Sequence, residues 1–522
     1  MYEFEGFSLD VDRLELRAGA TVINVQPQVF SVIAYLVQNS ERVVTKDEIF
    51  DEVWDGRIVS DGTLNARINA ARRALGDDGK NQKIIRTFPR RGFRFVAVLK
   101  EGNVVSISVA PMSEDEPPEA TLVPLSIDLP SIAVLPFKNL SDEQDQEYFA
   151  DGLTEDLITD LSKNTDLFVI ARNSSFAYKG TSPDIREVGQ SLGVAHVLEG
   201  SIRKVGNKVR INVQLVDALT GGQLWAERYD DELEDIFALQ DEITTRIVDA
   251  LTVNLTPSKS APFVLTRTTK NAEAYELFLR ARAAFYEFTP EALGQSILLS
   301  EQAIALDSNF ADAWAGMVFP LQSGWSFMWE GFDDAMPKAL EAGRRSIELA
   351  PQSAFCQYRF GWVNAIIGDH DAALHHFEKA IKINPNDAQA HAYFGEALTF
   401  SGDLLRAVEM VEIALRFDPF IPPNCAYHIG HALFLLERHE DAEEHVRQCI
   451  DIAPGFPPAQ LTMAALLVEM NRTEEAKQQI EYLLTIHPLI TLSKFNARYP
   501  YKDDKTRARV MAGLRAAGLP EE

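Results

Sequence analysis

The sequence predicts a multidomain α+β chain: a small domain of strands, helices and a closing hairpin, then an α/β domain with a mixed sheet, then an all-α repeat array. Three observations carry this. Basic charge gathers within residues 57–100 of an otherwise acidic chain, strand-length and helix-length apolar runs alternate between 131 and 256, and beyond 270 prolines return at a near-constant interval. At 522 residues the chain is too long for one core, so several domains are expected.

Residues 1–99 begin with short strand candidates, FSLD and LELRAGATVIN. Helical spacing of Phe30, Ile33, Ala34 and Val37 follows, with Pro27 suited to a first helical turn. Thr45-Lys46-Asp47-Glu48 reads as a capping box that opens a second helix through Val53. Ser60 caps a third, which runs to Leu75 and stops at Gly76. KIIRTF and FRFVAVL then flank Pro89-Arg90-Arg91-Gly92 as a hairpin with a basic tip. Residues 100–130, including SEDEPPEATLVP, are acidic and proline-bearing, which predicts a flexible linker.

Between 131 and 256, SIAVLPF precedes a helix over Glu147–Lys163, then LFVIA, a helix over Asp184–Leu192, and three strands. VLEGSIRKV and VRINVQLVD join through Gly206-Asn207, a hairpin turn signal. QLWAERY follows, and an amphipathic helix from about Leu233 to Leu255 closes the domain. Over 270–488, Pro351, Pro385, Pro419, Pro454 and Pro488 stand 34, 34, 35 and 34 residues apart. Gly361, Gly395 and Gly430 fall at one phase of that period, and Ala373, Ala407, Ala442 and Ala476 at another. Small residues where two helices cross, with proline where the second ends, resemble the tetratricopeptide repeat, and about six units are expected, followed by a helical extension over 489–522.

The formal net charge is −27, which for the whole chain argues against nucleic acid as a partner. Residues 57–100 nevertheless carry eleven Lys and Arg against Asp61, Asp77 and Asp78. A local basic face is what matters for DNA. On a helical wheel, Leu64, Ile68, Ala71 and Leu75 form one apolar stripe. Opposite it lie Ala66, Asn69, Ala70 and Arg73, with Gly62 and Thr63 at the start and Arg67 and Arg72 on the flanks. Small residues would let such a helix sit deep in a major groove, with an amide for a base edge and arginines for the phosphates.

VVTKDEIFDEVW, SDGTLNARINAARRALGD and TFPRRGFRFV closely resemble the OmpR/PhoB-type winged helix, in its ToxR/CadC/HilA-like branch, over essentially residues 1–99. The resemblance implies that the third helix enters the major groove and the wing tip the minor groove of double-stranded promoter DNA. It gives groove or backbone roles to Arg67, Asn69, Arg72, Arg91 and Arg94; Thr63, Arg73 and Arg90 join them by position and charge. The loop Trp54–Val59 corresponds to the segment that meets RNA polymerase in this family. IAVLPF, DGLTEDL, LEGSIRKVGNKVRINVQLVD and GGQLWAERYD are similar to the TolB N-terminal fold, which brings no catalytic activity. Asp151 and Thr154 in DGLTED read first as helix capping and second as a ligand contact.

The expected function is a one-component DNA-binding transcription regulator, with an effector, protein or peptide in the repeat groove. A repeat scaffold that uses its winged helix for protein contacts is the alternative. No GxxxxGK[ST], HExxH or GxSxG occurs, and LFVIARN lacks the strand-end acid of a phosphate receiver, so neither enzyme activity nor phosphorelay through its own domain is expected. Cys425, His428 and His431, and likewise His445 and Cys449, have helical spacing, but the repeat pattern accounts for those helices, so no metal or other cofactor is expected. Three cysteines without paired spacing and no apolar run of membrane length point to a cytoplasmic protein without a membrane partner.

Overall fold

A computed structural model describes residues 2–4, 7–10, 15–18, 21–23, 27–40, 42, 44–46, 48–49, 67–68, 71–72, 74–75, 77, 83–88, 92–97, 129–141, 146–232, 235–252, 268–420 and 422–522. The chain forms two compact units, Met1–Val123 and Pro124–Glu522.

In the first unit, β1 (Tyr2–Phe4), β2 (Phe7–Asp10), β3 (Glu15–Ala18) and β4 (Thr21–Ile23) form an antiparallel sheet in sequence order. A helix Pro27–Gln38 follows, with proline at its first position. Further on, β5 (Ile85–Phe88) and β6 (Gly92–Phe95) make the antiparallel hairpin, and Val44 bridges to Phe93. Phe4, Leu9, Phe30, Ile33, Ile68, Ile85 and Phe95 meet in one buried core. The expected linker lies almost wholly outside the described residues.

The second unit opens with a mixed sheet in which Gln223–Glu232, Lys208–Asp217, His196–Val205, Ser131–Val134 and Phe168–Val169 lie side by side in that order. Its strands are β7 (Ser131–Val134), β8 (Lys138–Asn139), β9 (Phe168–Val169), β10 (His196–Val205), β11 (Lys208–Asp217) and β12 (Gln223–Glu232), and β8 pairs with β10. β7 runs parallel to β9 and β10, whereas β10, β11 and β12 are antiparallel. Val205 pairs with Lys208 across a two-residue turn whose first residue, Gly206, has φ +59°. That is the left-handed conformation which a tight hairpin needs and glycine adopts without strain. Helices Glu147–Ser162 and Ile236–Thr252 bury apolar residues in one core with the sheet. Ile185–Leu192 packs into a separate core with Ala133, Ile170 and Val197.

Antiparallel helix pairs follow. They are Ala272–Glu287 with Pro290–Leu306, Ala311–Ser326 with Ala335–Leu349, and Ala354–Ile366 with His370–Ile383. Ala388–Ser401 with Leu404–Phe417, Pro423–Leu435 with His439–Ile452, and Pro457–Glu469 with Thr473–Ile486 continue the array. The period has a steric cause. A Cβ on Gly395 would stand 2.4 Å from Val411 Cγ2 and 2.9 Å from the Ala407 carbonyl, and one on Gly430 2.5 Å from Val446 Cγ2. Each pair crosses too closely there for any side chain.

Two features join the array to its surroundings. Helices Leu492–Arg498 and Asp504–Ala516 fold back over the repeats as a strap: Arg498 stacks on Trp325, the Lys502 amide donates to the Phe400 carbonyl at 2.9 Å, and Arg509 pairs with Glu469 at 2.6 Å. The α/β domain also docks on the repeats. Ala274, Tyr275, Phe278 and Phe310 share its core, Asn384 Nδ2 donates to Ser162 Oγ at 2.8 Å, and the Ala171 amide to the Phe417 carbonyl at 2.7 Å.

At this joint Asp418 accepts the Ser174 amide at 2.9 Å and the Ser174 hydroxyl. Burial raises its carboxyl to about 6 despite these donors. A carboxyl raised in the folded state stabilises most when protonated. Its contribution is therefore full below its ordinary value of about 3.8 and is lost as pH rises through about 6. Asp418→Asn is expected to flatten the pH dependence of this unit's thermal unfolding between those values; an unchanged profile would show that Asp418 does not set it.

Candidate nucleic-acid interface

The interface is built on a helix and a hairpin locked to one another. Ile68, Ala71 and Leu75 are all fully buried in the first unit's core, which fixes the third helix by the expected stripe. Its end is tied by Asp77. The Asp77 carboxylate accepts three successive amides, from Lys83 at 2.8 Å and from Ile84 and Ile85 at 2.9 Å each, so the chain enters β5 at a set angle. Upstream, the capping box closes reciprocally: the Glu48 amide donates to Thr45 Oγ1 at 3.2 Å and the Thr45 amide to Glu48 Oε2 at 2.8 Å. The donated Thr45 amide, first among several hydrogen bonds, lowers the Glu48 carboxyl to about 2.

Arg72 departs from its expected place on the helix flank. It is buried, and its guanidinium donates to the Ile85 carbonyl from Nε at 3.1 Å and Nη2 at 3.0 Å, and to Thr87 Oγ1 at 2.8 Å. Burial lowers its pKa, partly opposed by Asp77. Arg72 therefore braces the helix against β5. Arg94 is half-buried on β6, with Nε on the Ser40 carbonyl at 2.9 Å, and Arg67 is half-buried on the helix. Thr63, Asn69, Arg73, Arg90, Arg91 and the Trp54–Val59 loop lie outside the described residues.

The register of the hairpin adds Arg86, which side-chain spacing alone does not single out. Ile85 pairs with Phe95 and Thr87 with Phe93, turning those faces inward, and between them Arg86 stands directly opposite Arg94. Arg86 is exposed, and among the described residues neither arginine has an acidic ion-pair partner. Like charges in a directly opposed antiparallel pair are destabilising, so this arginine pair on the hairpin is suited to an anionic partner.

Other candidate sites resolve into packing. Thr154 Oγ1 accepts the Phe137 amide at 3.0 Å and donates to the Ala150 carbonyl, and Asp151 pairs with Lys179. His428 Nδ1 meets the Ala392 carbonyl, and His431 lies between Glu396 and Tyr501. Among the described residues no group of three or more His, Cys, Asp or Glu could hold a metal ion, and no helix is long and apolar enough to cross a membrane.

Four stretches match described protein families. Residues 20–95 match the C-terminal domain of transcriptional regulatory proteins, residues 128–246 the second domain of HilA/YgeH-like transcriptional regulators, and residues 356–387 and 433–488 tetratricopeptide repeats. The chain is 48% identical over 220 residues to a candidate adenylate cyclase 3 of Rhizobium meliloti, covering 42% of this chain and only 37% of that one. With the transcriptional regulator HilA of Salmonella typhi it shares 23% identity over 420 residues, 80% of this chain and 70% of the other. The phosphate regulon regulator PhoB of Escherichia coli is 28% identical over 94 residues, 18% of this chain and 41% of its own. The chain thus joins an OmpR/PhoB-type domain, a HilA-like second domain and tetratricopeptide repeats.

Proposed function

We propose that this chain, an OmpR/PhoB-type winged helix followed by a HilA-like second domain and tetratricopeptide repeats, is a one-component transcription regulator that binds promoter DNA through the winged helix and senses an effector or partner through the repeats. The opposed pair Arg86 and Arg94, on the hairpin of the most basic stretch in an acidic chain, is the observation that carries the reading. Arg67, Asn69 and Arg73 with Thr63 form the helix side of the contact, and Arg86, Arg90, Arg91 and Arg94 the wing side. Arg72 acts as a positioning residue. The Trp54–Val59 loop meets RNA polymerase, and the protein works in the cytoplasm without catalysis of its own.

Salt-dependent binding of the full chain to promoter fragments tests this. Each phosphate contact removed lowers the slope of log affinity against log salt by about 0.9, so Arg86→Ala with Arg91→Ala is expected to flatten it by nearly two. Asn69→Ala should instead relax preference at one base pair by roughly 1–3 kcal/mol and leave the slope in place. A chain with no preference among duplexes, or variants that bind as the parent does, would refute the reading.

A further inference from the structure

The α/β domain does not fill the space it encloses with the repeats. A cavity of about 1950 Å³ remains between helix Glu147–Ser162 and the first helices of successive repeats. Its lining holds more acids than bases, and three of the four bases are spent on acids of the same wall: Lys163 on Asp160 at 2.8 Å, Arg172 on Glu155 at 2.8 Å and Arg282 on Asp156 at 2.9 Å. The fourth is Arg359. It is 7% exposed, and among the described residues it makes no ion pair. Its Nε donates to Tyr358 Oη at 3.2 Å. Its Cζ lies 3.6 Å from the centroid of Phe319, 4.8 Å from Phe355 and 5.7 Å from Phe285.

We propose that this cavity is the binding site for a small organic monoanion, a carboxylate on an aromatic body, held by the Arg359 guanidinium and the rings of Phe285, Phe355, Tyr358 and Tyr393. Burying a guanidinium without an anion is costly, and ring faces compensate only part of it. Its two Nη groups present the planar fork that a carboxylate fills with two parallel hydrogen bonds. Asp387 feels the Arg359 charge but makes no ion pair with it among the described residues; its carboxylate caps helix Ala388–Ser401 by accepting the Ala390 amide at 3.0 Å. One cation amid an acid-rich wall suits a single negative charge and repels a dianion. A ligand seated there would touch both the α/β domain and the repeats, so its binding would couple the two.

This inference deepens the sensing role proposed above and rests on it, but its test contains no DNA. Calorimetric titration of the full chain with 2-naphthoate is expected to show one saturable site with Kd on the order of 0.1 mM, as the ligand efficiency of a fragment allows. Arg359→Gln should weaken it at least tenfold, Tyr393→Leu severalfold, and neutral 2-naphthylmethanol should bind at least tenfold more weakly than the carboxylate. If Arg359→Gln does not fold, hydrogen exchange of the parent chain decides: naphthoate should protect helices Ala354–Ile366 and Ala388–Ser401. No saturable binding, binding indifferent to Arg359, no such protection, or equal competition by inorganic phosphate overturns the proposal. Failure here with promoter binding intact leaves the DNA reading standing, and the reverse outcome leaves the cavity standing.

Discussion

Asp77→Ala is expected to cost the first unit about 3 kcal/mol and to abolish promoter binding with it, although Asp77 touches no DNA in the proposed contact. The carboxylate satisfies three consecutive amides, two of them on buried residues. A buried donor left without an acceptor costs roughly 1–3 kcal/mol, and water reaching the exposed Lys83 recovers part of the total. Arg72 is affected as well, because Asp77 is the nearby acid that offsets its burial. For a domain of this size the loss corresponds to a fall in Tm of roughly 15 °C. Hydrogen exchange of the full chain reads this locally: residues 84–88 and 93–95 should lose protection in Asp77→Ala, while the second unit stays unchanged. Asp77→Asn, which keeps one acceptor oxygen, should fall between. Equal protection of the hairpin in parent and variant would show that the amides find other partners.

That example marks where the sequence was legible and where it was not. Local signals held: the capping box Thr45–Glu48, the stripe Ile68, Ala71 and Leu75, the turn at Gly206, and glycines at a repeat period whose cause is the close crossing of paired helices. What failed to show depended on partners distant in the chain. On the helical wheel Arg72 lies at the edge of the apolar stripe, where an approaching strand decides whether a side chain turns out or in, and β5 turned it inward. Asp77 registers in composition as one acid against the basic segment, whereas its work is to hold three amides. Arg86 becomes part of the wing face only once the β5–β6 register sets it opposite Arg94. The repeat groove, read from sequence as the seat of an effector, protein or peptide, is partly occupied by the chain's own α/β domain, a contact between residues more than 200 positions apart.

His431→Ala is expected to loosen the strap from the array at a cost of about 3 kcal/mol, because it removes a buried ring and leaves buried polar partners without their hydrogen bonds. His431 is fully buried, with Nδ1 hydrogen-bonded to Glu396 Oε1 at 2.9 Å and Nε2 to the Tyr501 hydroxyl at 2.8 Å. Without the imidazole the buried Glu396 carboxyl loses this hydrogen bond, while among the described residues its second oxygen has no partner. Tyr501→Phe removes only the outer hydrogen bond and keeps the ring against Phe400, so about 1 kcal/mol is expected. The informative variant is the double change Glu396→Leu with His431→Leu. If the loss in His431→Ala comes from a stranded carboxylate, replacing both groups by apolar ones should restore most of the stability, and limited proteolysis of residues 490–522 should return to the parent rate. If the double variant is as unstable as the single one, the packing of the imidazole itself, stacked on Tyr427 at 5.4 Å, is what fastens the strap.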